Sequence, residues 1–320
     1  MLLMIYLIKI GVMHMSSVVS VVDVKKHPSL QDSIKESLDL LNYKLPQKIK
    51  RVLIKPNLCY YWESSTGYTT DPELVSAVIQ YLRQELDNPE VMIAEADASA
   101  MRVNLAYKIL GYEKLSSKYS IKLINLSEEP STEIKQTINN QNIIFQLPTI
   151  LNEVDLLINM PKLKIMRHTK ISCAMKNLFG AISNRKKIAY HKKLTETIVT
   201  VNKIVKPHLT IVDGIISLGK YPRRLDMIMS GTNTYSVDWI ASQIAGYDPN
   251  TVKFLNLYLK ENDLTNINVK TIGEKIDRYK KIFPRESKIP TDTLWKAELA
   301  LLNLYTKIVG DNLPPILMEM

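Results

Sequence analysis

Cysteine is scarce in this sequence. Its 320 residues include two cysteines, Cys59 and Cys173, more than a hundred positions apart. A zinc knuckle, a ferredoxin-type iron–sulfur cluster or a scaffold of several disulfides therefore cannot be built from cysteine alone. So few cysteines are typical of a reducing compartment, and we expect a cytoplasmic protein.

Acidic residues are missing from one long stretch of the chain. Positions 156–195 contain ten Lys and Arg residues and no Asp or Glu, and the rest of the chain carries 32 residues of each sign. The whole formal net charge of +10 therefore belongs to this segment. A protein that binds nucleic acid or membranes over its whole surface would be basic throughout. The local excess of basic residues therefore indicates an anion-facing site or patch.

No apolar run is long enough to cross a bilayer. The first residues, MLLMIYLIKIGVMHM, are apolar, but they are fewer than the roughly 18 positions that a spanning helix needs, and they include Lys9. They also lack the basic start and the small-residue cleavage site of a signal peptide. We expect positions 1–14 to be a start-site extension or disordered, with Met15 as the physiological start.

The rest of the chain alternates short β-branched runs with longer helical patterns. Predicted strands cover 18–24, 51–55, 91–94, 121–126, 155–159, 208–212 and 267–272, with an edge hairpin at 142–146. Predicted helices cover 28–41, 71–86, 102–110, 170–179 and 235–245. This alternation predicts an α/β fold, with a mainly parallel sheet or sheets and helices on both faces.

The pattern also suggests how the chain is divided. We expect one α/β domain over 15–275, with two lobes and a soft boundary near 146–151 as the alternative. Positions 276–320 are predicted to be a helical extension, since apolar residues from Leu294 to Ile308 recur at helical spacing. Such an amphipathic helix caps its own domain, forms a homo-oligomer contact or lies on a membrane surface.

Polar residues follow four of the predicted strands. The carboxyl ends of parallel strands share one edge, and ligands bind in the crevice outside it. Glu95 and Asp97 alternate at strand spacing, which suits a general base or a metal ligand and is as common in a solvated loop. We expect a substrate to be bound at this edge by Thr70 and by the remaining polar residues that follow the strands, which are Lys55, Asn57, Lys162, Lys164 and Asp213.

The predicted helix 170–179 adds further candidates. Its apolar stripe leaves Thr169, Ser172, Cys173 and Lys176 on the opposite face, as in a helix that lines a polar pocket. Its N-terminus is expected to favour an anion. We expect Lys176 to be catalytic and Asn177 to orient the substrate.

His168, just before this helix, is the only histidine at the predicted edge. Because a histidine pKa is ordinarily about 6.5, His168 is a candidate proton carrier. The alternatives are an anion ligand and a structural role.

A basic run lies at the end of the charged segment. Asn184-Arg185-Lys186-Lys187 and His191-Lys192-Lys193 would suit the phosphates of a nucleic acid. Tyr190 is the only aromatic residue of the run, so the stacking platform of a single-strand binder is missing. A solvated loop and a lid over the pocket are the alternatives.

Six ordered sequence blocks resemble the domain of unknown function 362 family. They are VLIKPNL at 52–58, TTDPELVSAVI at 69–79, VDLLINMPKLK at 154–164, KNLFG at 176–180, DGI at 213–215 and SVDWIASQIAGYDP at 236–249. Many members carry a ferredoxin-like cysteine cluster, but this chain has none, so its cysteines imply no iron–sulfur cluster. The arrangement of a strand, then lysine and histidine, then a helix with Lys-Asn-x-x-Gly is also distantly similar to that of the nickel-pincer lactate racemase family. A shared fold does not imply a shared reaction.

These observations lead to three hypotheses. The first is an enzyme that acts on a small anionic metabolite, a carboxylate or a phosphorylated compound, in a lysine-rich crevice with His168 or Glu95 as proton carrier. Its reaction class is open between an isomerase or racemase type and an oxidoreductase-associated type. The alternatives are a basic nucleic-acid-binding protein and a non-catalytic ligand-binding protein of a redox or cofactor pathway. The sequence identifies no cofactor, and Glu95 and Asp97 are its weak metal candidates.

Overall fold

A computed structural model of the protein describes residues 15–46, 48–264 and 267–285. The expectations for positions 1–14 and for the terminal amphipathic helix fall outside the described residues. None of the described helices combines the length and the apolar character needed to cross a bilayer.

A ten-stranded sheet forms the centre of the fold, and a separate hairpin of two strands lies beside it. The strands are β1 (Met15–Asp23), β2 (Arg51–Lys55), β3 (Glu90–Glu95), β4 (Lys122–Asn125), β5 (Ser131–Ile138), β6 (Gln141–Pro148), β7 (Leu156–Asn159), β8 (Lys162–Met166), β9 (Lys170–Ser172), β10 (Leu209–Leu218), β11 (Pro222–Gly231) and β12 (Ile267–Gly273). The spatial order is β12-β1-β11-β10-β7-β2-β3-β4, and β8 pairs with both β10 and β9.

Most neighbouring strands run parallel, which confirms the predicted mainly parallel sheet. The parallel pairs include β10 with β7, β7 with β2, β2 with β3, and β3 with β4. The exception along this order is β11, which is antiparallel to both β1 and β10. The predicted hairpin at 142–146 is part of β6, whose partner β5 lies outside the main sheet.

Helices cover both faces of the sheet, as the alternating pattern predicted. They are α1 (Leu30–Leu40), α2 (Pro72–Glu85), α3 (Val103–Ile109), α4 (Tyr112–Tyr119), α5 (Ile150–Glu153), α6 (Ala174–Phe179), α7 (Leu194–Ile204), α8 (Thr234–Ile244), α9 (Lys253–Glu261) and α10 (Ile276–Ile282). Side chains of β2 alternate between two cores: Leu53 faces α6 to α9, and Val52 and Ile54 face α1 to α4. This alternation reflects the two-residue period of a strand.

The predicted helix 170–179 is wrong in its first half. Positions 170–172 form β9, which pairs antiparallel with β8, so that Ile171 lies opposite Ile165. The helix begins at Ala174, where the buried carboxylate of Asp238 accepts hydrogen bonds from the Ala174 and Met175 amides at 2.6 and 3.0 Å. The first turn is therefore capped by a carboxylate of the protein itself. Burial raises the pKa of Asp238 to about 7.

Replacing this cap tests how much it stabilises the fold. Asp238→Ala leaves two buried amides without acceptors, so we expect the free energy of unfolding to fall by about 2 kcal/mol or more. The control is Ser29→Ala, which removes the exposed cap of α1 and is expected to cost about 1 kcal/mol. Chemical denaturation of the three proteins measures both values, and equal losses would contradict the buried cap.

Candidate functional site

The predicted edge of the sheet brings two lysine–carboxylate pairs together from distant parts of the chain. At the end of β2, the buried Lys55 donates to Glu95 Oε2 at 2.8 Å, and Glu95 ends β3. Lys162 begins β8 and donates to Asp213 Oδ2 in β10, also at 2.8 Å. All four side chains are at most 4% exposed. These predicted substrate-binding lysines are therefore neutralised within the protein.

The Lys55–Glu95 pair is further enclosed by backbone groups. Glu95 also accepts hydrogen bonds from the amides of Leu58 and Ala96, at 3.2 and 3.0 Å. Gly180, which follows α6, lies so close that an added Cβ would be 3.1 Å from Lys55 Nζ. Burial lowers the pKa of Lys55, and the charge of Glu95 opposes that effect. The pair thus joins the ends of β2 and β3, and both side chains lie against Gly180 at the end of α6.

The Lys162–Asp213 pair joins the sheet to α2. Asp213 also accepts the amide of Asp71, the residue that caps α2, at 2.8 Å, and the amide of Ile215 at 3.1 Å. Burial raises the pKa of Asp71. Asp213 therefore has a complete set of donors from the protein itself.

Lys164 differs from these two lysines because it has no carboxylate partner among the described residues. Its Nζ donates to Asn57 Oδ1 at 2.6 Å, to the Tyr68 carbonyl at 2.8 Å and to Cys59 Sγ at 3.0 Å. Asn57 is itself held by Thr70, whose Oγ1 accepts the Asn57 amide and donates to the Met160 carbonyl. The Thr70 hydroxyl, which we expected to bind a substrate, already makes two hydrogen bonds inside the protein.

Lys176, on α6, is partly buried. In the part of the chain that the structure describes, no carboxylate lies within ion-pairing distance of its Nζ. The Nζ atom lies 5.9 Å from the centre of the Phe179 ring. Burial, and then the positive charge of Lys164, lower the pKa of Lys176 to about 8. Lys176 and Lys164 therefore carry positive charge that no carboxylate of the described residues pairs with.

Two histidines complete the group. The ring centres of His168 and His191 are 6.2 Å apart, and His191 lies 6.3 Å from the ring of Phe179. Burial, with the nearby Lys176 and His168, lowers the pKa of His191 to about 3. We refer to Lys164, Lys176, His168 and His191 as the basic cluster.

Asn177, next to Lys176, faces the first ion pair. Its Nδ2 donates to Asn159 Oδ1 at 2.8 Å and to the carbonyls of Lys55 and Pro56, both at 3.3 Å. Its Oδ1 is buried and has no hydrogen-bond partner among the described residues. A buried acceptor left unpaired costs about 1–3 kcal/mol, and a donor from water or a ligand would recover that loss.

The basic run 184–193 is attached to the end of β3. Lys187 is buried and donates to the carbonyls of Asp97 and Gly180, at 2.5 and 2.7 Å. Burial lowers its pKa to about 7. Arg185 Nε is 3.0 Å from Asp97 Oδ2, and Asp97 also accepts the Val103 amide. The start of this run is therefore attached to the end of β3 through Arg185 and Lys187, while the Arg185 and Lys186 side chains stay exposed.

The weak metal candidates, Glu95 and Asp97, are each paired with a basic side chain. Across residues 15–46, 48–264 and 267–285, no three His, Cys, Asp or Glu side chains form a group suited to a metal ion.

Sequence reasoning did not place Cys59, Lys187 or His191 at this site. It assigned Lys187 and His191 to the basic run, and the expectation that His168 is the only histidine of the edge is wrong because His191 lies beside it. Cys59 had a usable signal, because it lies four positions after the last residue of β2. Lys187 and His191 had none, because a buried lysine or histidine in a basic run has the same sequence pattern as a solvated one.

The Lys162–Asp213 pair gives a direct test of these assignments. Lys162→Met leaves the buried Asp213 without its counter-charge, so we expect a loss of about 3–5 kcal/mol in the free energy of unfolding. The exposed pair Lys35–Asp39 is the control, and Lys35→Met is expected to cost less than about 1 kcal/mol.

Adding Asp213→Asn to Lys162→Met is expected to restore part of the stability, because the uncompensated charge is then removed. Urea denaturation of the four proteins gives the values. A loss no larger for Lys162→Met than for Lys35→Met would contradict the buried pair.

The chain is similar to a curated protein and to a solved structure. A thylakoid-associated protein of Synechocystis sp. is 26% identical over 215 residues, which cover 63% of this chain and 65% of that protein. The match thus spans slightly less than two thirds of that relative. The solved lactate racemase apoprotein of Thermoanaerobacterium thermosaccharolyticum gives a TM-score of 0.40 at 9% identity, over 72% of this chain and 58% of that one. The predicted distant similarity is thus found again, but at this score it carries no argument about function.

The family comparison covers most of the chain. The family model "Domain of unknown function (DUF362)" matches residues 52–243, which include the whole basic cluster and both buried ion pairs. The predicted family is therefore confirmed, and the chain belongs to the DUF362 family.

Proposed function

We propose that this protein is an enzyme that binds a small anionic metabolite, a carboxylate or a phosphorylated compound, at the basic cluster. The observation that carries the proposal is the division of the four edge lysines. Lys55 and Lys162 are paired with buried carboxylates, whereas Lys164 and Lys176 have no carboxylate partner among the described residues. An anion at this place would supply the missing charge.

The electrostatics of the cluster support this proposal. Lys164 lowers the pKa of Lys176, which means that the two ammonium groups repel each other. An anion between them relieves that repulsion, and the attraction is stronger in a partly buried site than in water. The same groups would stabilise negative charge that develops on a substrate during a reaction. Lys164 is held in place by three acceptors, so its charge would act on a bound anion from a fixed position.

His168 is the better of the two proposed proton carriers. Glu95 is buried and already accepts hydrogen bonds from Lys55 and from two backbone amides, so its oxygens are occupied within the protein. His168 is partly exposed and lies beside His191. The positive charge of Lys176 contributes to the lowered pKa of His191, so Lys176 is also close to this pair. A proton carrier needs both access to the substrate and closeness to the charge-binding groups. The reaction class stays open between the isomerase or racemase type and the oxidoreductase-associated type.

Binding of nucleic acid is the weaker candidate. Arg185 is paired with Asp97, and Lys187 is buried against two carbonyls, so two members of the basic run are already engaged. Non-catalytic ligand binding would use the same cluster without proton transfer, and a turnover assay separates it from the enzyme. The scarcity of cysteine supports a cytoplasmic location as part of the proposal.

Anion binding is tested by isothermal titration with sulfate and with malate. We expect both to bind the wild-type protein, and we expect Lys176→Met to weaken binding by about tenfold to a hundredfold because one charge-assisted contact is lost. The matched control is Lys192→Met, which removes an exposed lysine of the same charged segment. An equal loss in both variants, or no loss in Lys176→Met, would remove the assignment.

The same titration has a predicted pH dependence. The pKa of Lys176 is about 8, so its ammonium is present below that pH and is lost as the pH rises through it. Sulfate keeps a constant charge over this range. Its affinity is therefore expected to fall between pH 7 and pH 9 in the wild-type protein, and to change much less in Lys176→Met.

Turnover is tested with an extract of small acidic metabolites, incubated with the protein and followed by mass spectrometry. We expect the wild-type protein to convert at least one compound, and His168→Gln to lose that conversion while its sulfate affinity stays within about twofold. His27→Gln, a substitution at a partly exposed histidine just after β1, is the control. Conversion at the wild-type rate by His168→Gln would mean that another group carries the proton.

A further inference from the structure

Exposed aromatic side chains lie beside the basic cluster. Tyr60, Trp62 and Tyr68 are 43%, 54% and 37% exposed. All three belong to residues 59–68, which we call the aromatic loop, and the loop begins at Cys59, a contact of Lys164. Single exposed apolar residues are ordinary, but a concentration of large rings in one loop marks a surface that binds something.

The backbone of the aromatic loop is anchored at several points. The buried Thr69 donates from its hydroxyl to the Trp62 carbonyl at 2.6 Å, and the hydroxyl of Tyr61 accepts the Arg102 amide at 2.7 Å. Gly67 has a φ of +74° and packs so closely on β10 that a Cβ would lie 3.0 Å from Leu218. The rings of Trp62 and Tyr68 are therefore exposed on a fixed frame.

The rings and the basic cluster share one lysine. Lys164 Nζ donates to the Tyr68 carbonyl and lies 5.8 Å from the centre of the Tyr68 ring. The Trp62 and Tyr68 rings are 6.4 Å apart and tilted by 35°, so they form a neighbouring pair. An apolar, ring-binding surface thus continues directly into the group of uncompensated positive charges.

We propose that the aromatic loop binds a planar ring of the substrate, so that the anionic metabolite of the proposed function is a ring-bearing anion. This inference rests on that proposed function and narrows its substrate class. The anionic group sits at Lys164 and Lys176, and the ring stacks on Trp62, the more exposed of the two paired rings. Aromatic carboxylates and phosphorylated nucleosides share this chemistry, because each joins a flat π-system to a negative charge.

Stacking accounts for the choice of a ring rather than of any apolar group. A planar ring on an aromatic side chain gains both contact area and favourable π-geometry. Stacking of one nucleic-acid base on an aromatic residue changes affinity by about fivefold to a hundredfold. A saturated ring of the same size gains the contact area alone, so comparing the two isolates the aromatic contribution.

The test uses two matched pairs of ligands in isothermal titration with the full chain. Benzoate is compared with cyclohexanecarboxylate, which isolates the aromatic contribution. Adenosine monophosphate is compared with ribose 5-phosphate, which lacks the base and so measures its whole contribution. We expect the aromatic member of at least one pair to bind five times more tightly or better, as stacking predicts, and the pair that responds identifies the carboxylate or the phosphate as the anionic group.

Variants then assign the preference to the loop. Trp62→Leu is expected to abolish the preference for the aromatic member, while Trp62→Phe keeps most of it. Tyr221→Leu, at an exposed ring outside the aromatic loop, is the control and is expected to keep it fully. A preference that survives Trp62→Leu would overturn the inference.

The remaining outcomes separate the inference from the proposed function. If sulfate binds but neither pair shows a preference, the aromatic loop does not bind a ring, and the anion site still stands. If sulfate fails to bind as well, both proposals fail. If the pairs show no preference, and Trp62→Leu instead abolishes sedimentation with phosphatidylglycerol vesicles, the loop contacts a membrane surface and the inference is overturned.

Discussion

A buried ammonium group must be neutralised or surrounded by acceptors, and this requirement organises the strand edge. Two lysines meet it with a carboxylate from a neighbouring strand, since Lys55 pairs with Glu95 and Lys162 pairs with Asp213. Each pair also collects backbone amides from a loop or a helix end. The pairs therefore tie the strand ends to the segments that follow them. They act together with the Asp238 cap of α6 and with the Thr69 contact of the aromatic loop.

Once those lysines are neutralised, the site is defined by the charges that are left over. Lys164 meets the requirement in another way, with an amide oxygen, a carbonyl and a sulfur as acceptors, and so has no carboxylate partner among the described residues. Lys176 is partly exposed and has a lowered pKa instead of a carboxylate partner. The anion site proposed here is thus a consequence of incomplete pairing. A high count of lysines alone would not create it, because two of the four edge lysines contribute no free charge.

The sequence predicted which residues meet at the strand edge better than how they pair there. The charge surplus of residues 156–195 and the polar residues after the strands both pointed to the edge at which they meet. Which lysine pairs with which carboxylate could not be predicted, since that depends on strand order, and the antiparallel β11 separates β10 from β1. Positions 170–172 had a helical apolar period, but pairing with β8 outweighed it. The cap of α6 comes from Asp238, more than sixty positions away, and no local pattern carries that contact.

Lys164 connects the two halves of the proposed substrate site. Its ammonium group holds the Tyr68 carbonyl at one end of the aromatic loop and the side chain of Asn57 near the other. An arriving anion would compete for the same ammonium group, because Lys164 has three donors and all three are in use. Weakening one of these contacts would loosen the loop that carries Trp62. In the proposed site, charge recognition and ring recognition would therefore be coupled through a single side chain. The more exposed Lys176, which makes no hydrogen bond within the described residues, would be the better first contact for the anion.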